Sequence, residues 1–506
     1  MSNKRPNILL ILQDHQAYYG HGITGGPGPK RPCYDKFIAD GCFFPEARCV
    51  SPMCGPARRC LLTGVYPHTS GQVFNENDPP FNTDVTLDRL YEAGYRNYYY
   101  GKWHAGPGDA QDHHAEGFSM HSYGNPYDTD VYRDFCKRRG IPEAVHHVEH
   151  AFMTEKYIAN GYFPGLEDGA DYQCKTDWCG EHASGITITP KESHESFFLA
   201  TLACEKLEEI AKEKSDDPFC MQVHFWGPHQ PFFPTKEFAD WYNPDEITLP
   251  PSFTDDLSGQ PDVFKDERTM PMGEHGKLSV PSALPLKIWQ EVLARCYGHI
   301  SMIDAAGGMV IDKLRELGLD ENTLIIWGTD HGDALASHGG HFDKDSHMSE
   351  DVMRVPLAMQ YPEHIPSGHV EHGFVFTPDV PVTMMDAAGI TMRNKVDGIS
   401  LIDLVNKRIP ARDSLMCESY GHGYGKTVIS RAIYSSDGWK YVVIAHDLEQ
   451  LYNLNDDPFE MKNLAQDKNY SGKIEEMKKL LKENQKKAND PVDLDTLLFT
   501  VKGANT

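Results

Sequence analysis

The sequence predicts an α/β fold with one site at the ends of its buried strands, followed by a tail with antiparallel strands. Three apolar runs of strand length carry this reading: Asn7 to Leu12, Phe219 to Phe225 and Thr323 to Trp327. Each leads into polar residues, Gln13-Asp14-His15, Gly227-Pro228-His229 and Asp330-His331-Gly332 respectively. A continuous apolar run marks a strand covered on both faces. Polar groups just past the C-terminal ends of such strands lie where open α/β sheets hold ligands. Three endings of this kind point to one site.

The first run follows a short polar, basic start, Met1 to Pro6. Ile8 to Leu12 is too short for a signal h-region or a membrane span, so it reads as a buried strand and no membrane is expected. From Ala105 to Pro190 the chain is rich in Gly, His, Tyr, Asp and Cys with weak periodicity. That stretch reads as long loops and short elements over the site, where specificity commonly resides. Pro244 to Pro285 is also loop-like. An amphipathic helix from about Ile300 to Leu317 stops at Gly318 and feeds the third strand. In the tail, Ile429 to Tyr434 and Trp439 to Ala445 read as antiparallel strands joined at Ser436-Asp437-Gly438, with a Lys-rich helix from about Lys473 to Lys487. With 506 residues, the chain exceeds one ordinary core. The expected division is a catalytic domain over 1–412 and an α+β subdomain over 413–506.

Composition narrows the function. A formal net charge of -26 excludes nucleic acid as a partner, because a phosphate backbone would be repelled. An anionic small molecule is compatible only with a local cluster of Lys, Arg and His set against the global field. The 12 cysteines have no framework spacing, which suits reduced thiols and a cytoplasmic location.

The sharpest motif is Cys54-Gly-Pro-Ala-Arg58, continued by Arg59-Cys-Leu-Leu-Thr-Gly64. It resembles the C-x-P-x-R signature of the type I, formylglycine-dependent sulfatases, members of the alkaline-phosphatase-like superfamily. The resemblance runs colinearly along the chain. Pro6-Asn7-Ile8 to Asp14, Gly101-Lys102-Trp103-His104, Gly227-Pro228-His229-Gln230-Pro231 and Thr329-Asp330-His331-Gly332 all match family stretches. So do His338-Gly339 with Lys344 and Arg354-Val355-Pro356, and the tail elements Asp437-Gly438-Trp439-Lys440-Tyr441 and Leu451-Tyr452-Asn453-Leu454.

The resemblance implies an alkaline-phosphatase-like fold, a large mixed sheet sandwiched by helices with a smaller C-terminal antiparallel-sheet subdomain, and hydrolysis of an organic sulfate ester, of a sulfated sugar or small alcohol. It implies that a maturase, either oxygen-dependent and formylglycine-generating or anaerobic, oxidises Cys54 to formylglycine. A hydrated formylglycine offers one hydroxyl to attack sulfur, and the other later collapses to expel sulfate; a serine would leave a stable ester. Asp14 and Asp330 are acceptor-only carboxylates suited to a hard divalent cation, with Cys54 at the same metal. Lys102 and Lys344 would bind sulfate oxygens, and Arg58 would hold the formylglycine. His229 or Lys344 could protonate the leaving oxygen, and His104 could take the diol proton. His422 is expected to reach the substrate from the C-terminal part.

Two positions depart from the pattern. The family's second opening aspartate is His15 here, and its Asp-Asn pair is Asp330-His331. The metal set is therefore expected to be Asp14, His15, Cys54, Asp330 and His331, with His15 alternatively pointing at the substrate. Calcium is the family expectation, whereas imidazole suits manganese or zinc. Related phosphonate monoester and phosphodiester hydrolases share the formylglycine site, and some carry an Asp-His pair. Sulfate monoesters and phosphodiesters bear the same charge, so both activities stay open, as does a catalytically silent member.

Overall fold

A computed structural model describes residues 5–18, 28–75, 77–121, 124–151, 165–176, 183–213, 215–269, 284–344, 348–421 and 427–500. Its main sheet contains β1 (Asn7–Asp14), β2 (Cys42–Phe43), β3 (Arg96–Lys102), β4 (Ala115–Met120), β5 (Phe219–Pro228), β6 (Thr323–Thr329), β7 (Leu357–Gln360) and β8 (His369–Val370). Their spatial order is β8-β2-β7-β6-β1-β5-β3-β4. The central strand β1 runs parallel to both β6 and β5, while β7 is antiparallel to β6. The sheet is therefore mixed, with its three polar strand endings side by side.

Alternation along β1 explains why Ile8 to Leu12 is apolar at every position. Ile8, Leu10 and Leu12 enter one core with Leu61, Val380 and Met384, whereas Leu9 and Ile11 enter another with Phe198, Leu199, Met302 and Ile303. Side chains two apart share a face of a strand, so a strand covered on both faces has no polar position to spare. One covering layer is α1 (Cys54–Thr63) with the helix Asp379–Ala387; the other is α2 (Glu195–Glu213) with α3 (Leu286–Glu316).

α3 begins earlier than the sequence suggests. Trp289, Val292, Leu293, Cys296, Tyr297 and Ile300 already follow the helical spacing and are buried, but the polar stretch before them masks the start. The described residues between 105 and 190 also hold regular elements that their composition does not suggest. These include a helix, Asp130–Arg139, and a three-stranded sheet of His146–Ala151, Asp171–Tyr172 and Ala183–Thr187. In this sheet His146 and Val148 are buried while His147 is not, so histidines occupy positions where apolar alternation would have shown a strand.

The tail forms a four-stranded antiparallel sheet, Ser414–Ser419, Ser430–Ser435, Trp439–Ile444 and Gln450–Asn453, covered by the helix Ser471–Ala488. Met416, Ile433, Tyr441 and Leu451 join the same core as Ile8 and Leu10. No helix among the described residues is long and apolar enough to cross a membrane.

One glycine shows how packing fixes a motif. Gly101, the penultimate residue of β3, has φ +113°, and a Cβ there would lie 1.9 Å from the carbonyl oxygen of His224 on β5. Only glycine satisfies both the dihedral and the strand contact. Gly101→Ala is expected to cost roughly 2–4 kcal/mol through backbone strain and overpacking, read as a lower urea midpoint. An unchanged midpoint would show that β3 and β5 can separate freely here.

Candidate active site

The head of α1 places the first functional side chains. Cys54 occupies the first turn, Arg58 lies one turn on, and Gly64 ends the helix at φ 73°. Residues four apart share a helix face, so the C-x-P-x-R spacing delivers thiol and guanidinium to the same place. Both are buried at 1 % exposure. Arg58 Nε donates to Asp330 Oδ2 at 2.8 Å, and its Nη1 donates to the Lys102 carbonyl at 2.9 Å. The arginine thereby ties α1 to the ends of β6 and β3.

Asp14, Cys54, Asp330 and His331 each direct a ligand-capable atom into one fully buried group, all within 4.8 Å of one another. Cys54 Sγ stands 3.0 Å from His331 Nε2. His331 Nδ1 lies 2.9 Å from the Gly332 carbonyl oxygen; since a carbonyl only accepts, that nitrogen carries the proton and Nε2 presents a lone pair to the group. Lys102 Nζ donates to Asp14 Oδ2, whereas the buried Asp14 Oδ1 has no hydrogen-bond partner.

Charge in the group is held in place by its neighbours. Burial alone would raise the Asp330 carboxyl, but His331, Arg58 and Lys102 hold it below the usual carboxylate range. Asp14 is likewise lowered against burial and the repulsion of Asp330, by Lys102 and Arg58. Burial lowers His331 to about 3, which keeps its imidazole neutral. The Cys54 thiol is pushed up to about 12 by burial, with Lys102 and Lys344 opposing. At neutral pH it is a thiol and a weak nucleophile.

His15 departs from the expected metal set. It adopts φ 69° at the end of β1, and this left-handed turn takes its ring away from the Asp14 group. Its Nε2 lies 3.1 Å from Asp343 Oδ1, and with His229 the two form a second buried cluster. Asp333 stands 3.9 Å from the same nitrogen. Lys344 Nζ donates to Asp343 Oδ1 at 2.9 Å and lies 3.5 Å from His229 Nε2. His229 Nδ1 meets the Gln230 carbonyl oxygen at 2.9 Å, so its proton is on Nδ1 and Nε2 is bare. Burial holds His229 well below its usual value, with His15 and Lys344 adding to the effect.

His104 completes the expected residues. It has φ 47° and a buried Nδ1 without a hydrogen-bond partner. Burial first, then Lys102 and Arg58, keep it well below its usual value. His422 lies outside the described residues. Glu418, four residues earlier, accepts from His68, with Oε2 2.7 Å from Nδ1.

Four supporting residues escape a motif reading. Tyr99 Oη stands 2.7 Å from His224 Nδ1, which is 3.3 Å from Arg58 Nη1. A histidine inside the apolar run Phe219 to Phe225 is the available signal, because buried polar groups need partners. Asp333 and Asp343 lie beside the motif residues Asp330 and Lys344, where adjacency is the only hint.

The family model described as "Sulfatase" matches residues 6–390, and that described as "N-sulphoglucosamine sulphohydrolase, C-terminal" matches residues 337–487. The chain is 25% identical to an N-acetylglucosamine-6-O-sulfatase of Bacteroides thetaiotaomicron, with 98% of this chain and 89% of the relative covered. It is 27% identical to a choline-sulfatase of Rhizobium meliloti, over 92% and 83% respectively. The phosphonate monoester hydrolase of Agrobacterium radiobacter shares the fold, with a TM-score of 0.76, 21% identity and coverage of 95% of this chain and 96% of that one.

Proposed function

This chain belongs to the sulfatase family and is a sulfuric ester hydrolase, and from that premise we propose that it cleaves the sulfate ester of a sugar or small alcohol, using formylglycine formed from Cys54 and one divalent metal. The observation that carries the proposal is the placement of Cys54 Sγ among Asp14, Asp330 and His331, with Arg58 one helical turn away.

The residues present fit a metal. Asp14 Oδ1 is buried without a partner, and His331 turns a bare Nε2 into the same group. Asp14, Asp330 and His331 would hold the ion, with the residue at 54 facing it. When bound, it supplies Lewis-acid polarisation of the sulfate oxygens. Two carboxylates with an imidazole are a mixed donor set, which favours manganese or zinc over calcium. Formylglycine would supply a hydrated aldehyde in place of a thiol that burial keeps protonated.

The chain's own residues account for the remaining chemistry. Lys102, Lys344 and Arg58 furnish the positive cluster that an acidic protein needs to hold an anionic ester. Arg58 is engaged on Asp330 and the Lys102 carbonyl, so it fixes the frame around position 54. His229 enters with a bare Nε2 and therefore has no proton to give there. Lys344 carries the ammonium proton beside it, which makes Lys344 the acid for the leaving oxygen. His104, neutral and partnerless at Nδ1, is placed to accept a proton from the residue at 54.

A second reading, a phosphonate monoester or phosphodiester hydrolase, draws on the imidazole of His331 in the donor set. Parallel assays with 4-nitrophenyl sulfate and 4-nitrophenyl phenylphosphonate separate the two by their kcat/KM ratio. Beside these, the tryptic peptide Cys49–Arg58 is expected to carry an aldehyde in place of the thiol at position 54. A peptide that is thiol throughout, from a host able to mature sulfatases, would remove the proposed nucleophile.

Metal removal gives a further expected outcome. Dialysis against a chelator should abolish activity and lower the melting temperature, because an ion that binds only the folded chain stabilises it by about 2.7 kcal/mol at a hundred times Kd. Manganese, zinc and calcium can then be ranked by recovery of Tm. A melting temperature indifferent to chelation, with no divalent metal by elemental analysis, would rule out the metal.

A further inference from the structure

Beside the site lies a cavity that the chemistry above does not use. His229, Trp226, Tyr127, Phe233 and Glu195 are among the residues lining it. His229 also faces Lys344, so this cavity adjoins the point where the leaving oxygen departs.

Glu195 opens α2 and is 9 % exposed. Its backbone N–H donates to Tyr127 Oη at 3.1 Å. Among the described residues no hydrogen bond or ion pair reaches its carboxylate. Burial, with repulsion from Asp14, raises its carboxyl to about 8, so on its own it is protonated at neutral pH; a cation bound beside it would favour the carboxylate and supply the missing partner.

Three imidazoles line the same cavity, and none can serve as a counter-ion. Thr187 Oγ1 donates to the Phe233 carbonyl and stands 2.9 Å from His146 Nδ1. The histidine nitrogen is therefore the donor in that pair, and Nε2 is left as a neutral acceptor. His194 Nδ1 accepts from the Ser196 N–H at 3.2 Å, which leaves its Nε2 as a donor. Neither ring nitrogen of His299 has a hydrogen-bond partner. Burial lowers His146 and His299 to about 3, and His194 well below its usual value. Glu195 is thus the one acidic group in a wall of neutral imidazoles and aromatic rings. An acid with nearby indole and phenol rings is the chemistry that recognises an organic cation.

We infer that this cavity receives the leaving alcohol of the ester and selects one bearing an ammonium group, with Glu195 as the counter-ion. The inference rests on the sulfatase reading for the identity of the scissile bond, and on the cavity alone for the cation. A quaternary ammonium alcohol and an unacetylated amino sugar share this chemistry, and paired substrates distinguish them.

The matured full-length enzyme is assayed on choline O-sulfate against its neutral isostere 3,3-dimethylbutyl sulfate, and on glucosamine 6-sulfate against N-acetylglucosamine 6-sulfate. In at least one pair the cationic member should have a kcat/KM about tenfold or more above the neutral one. Whichever pair shows it names the source. In Glu195→Gln that ratio should fall towards one. If neither pair shows a preference, or if the ratio survives in Glu195→Gln, the inference is overturned. Should the variant fail to fold, the wild-type ratio decides.

Calorimetry with choline and with glucosamine alone separates the two layers. Binding of a cationic alcohol that Glu195→Gln abolishes, in an enzyme that turns over no sulfate ester, would keep the cavity assignment and sink the sulfatase chemistry. Turnover of all four esters without a cation preference would do the reverse.

Discussion

Cys54→Ala is expected to lower kcat by about 10⁴-fold or more, the loss that follows removal of a covalent nucleophile. The variant should fold, because the side chain fills little space and its neighbours are held by Arg58. Cys54→Ser is the more informative companion. A serine hydroxyl can attack once, but it has no second hydroxyl with which to expel sulfate. It should release about one equivalent of alcohol per enzyme and stop, a burst without turnover. Steady turnover by Cys54→Ala at wild-type rate would show that the nucleophile lies elsewhere. Unmatured wild-type protein should resemble the alanine variant, because the thiol is pushed up to about 12 by burial and stays protonated at neutral pH.

The second large effect concerns Lys344. If its ammonium protonates the leaving oxygen, Lys344→Ala should cost about 10²–10⁴-fold in kcat on an alkyl sulfate. On 4-nitrophenyl sulfate, whose leaving phenolate needs no proton, the loss should be smaller by about tenfold or more. The assignment follows from tautomers: the His229 proton is committed to the Gln230 carbonyl, whereas Lys344 Nζ stands beside the bare Nε2. Equal losses on both esters would reduce Lys344 to a charge that holds the sulfate.

Much of this was legible in sequence because it depends on periodicity. Asp14 shares the parity of Ile8, Leu10 and Leu12, which places it on the face that α1 covers, and the four-residue spacing of Cys54 and Arg58 is a helical turn. His15 was not legible. Its destination depends on a left-handed φ at a strand end, which no neighbouring residue announces. Glu195 was equally silent, since an acid in the first turn of an amphipathic helix is ordinary there. Only the tertiary fold leaves its carboxylate unpartnered. The three-stranded sheet around His146 was hidden because buried histidines replace the apolar half of a strand's alternation.

Cys54 is almost wholly enclosed, and His331, 3.0 Å from its sulfur, lies 277 residues further along the chain. A separate enzyme that works on this side chain can reach it only while the later strands are absent or unpaired. At about 5–20 residues per second, synthesis from one residue to the other takes roughly 14 to 55 s. If Cys54 is matured as proposed, that interval is the least time open to the oxidising enzyme, and the time the later strands take to pair adds to it. On that proposal, a chain that folds first would close over a protonated thiol, and slower translation or slower folding should raise the active fraction of a preparation.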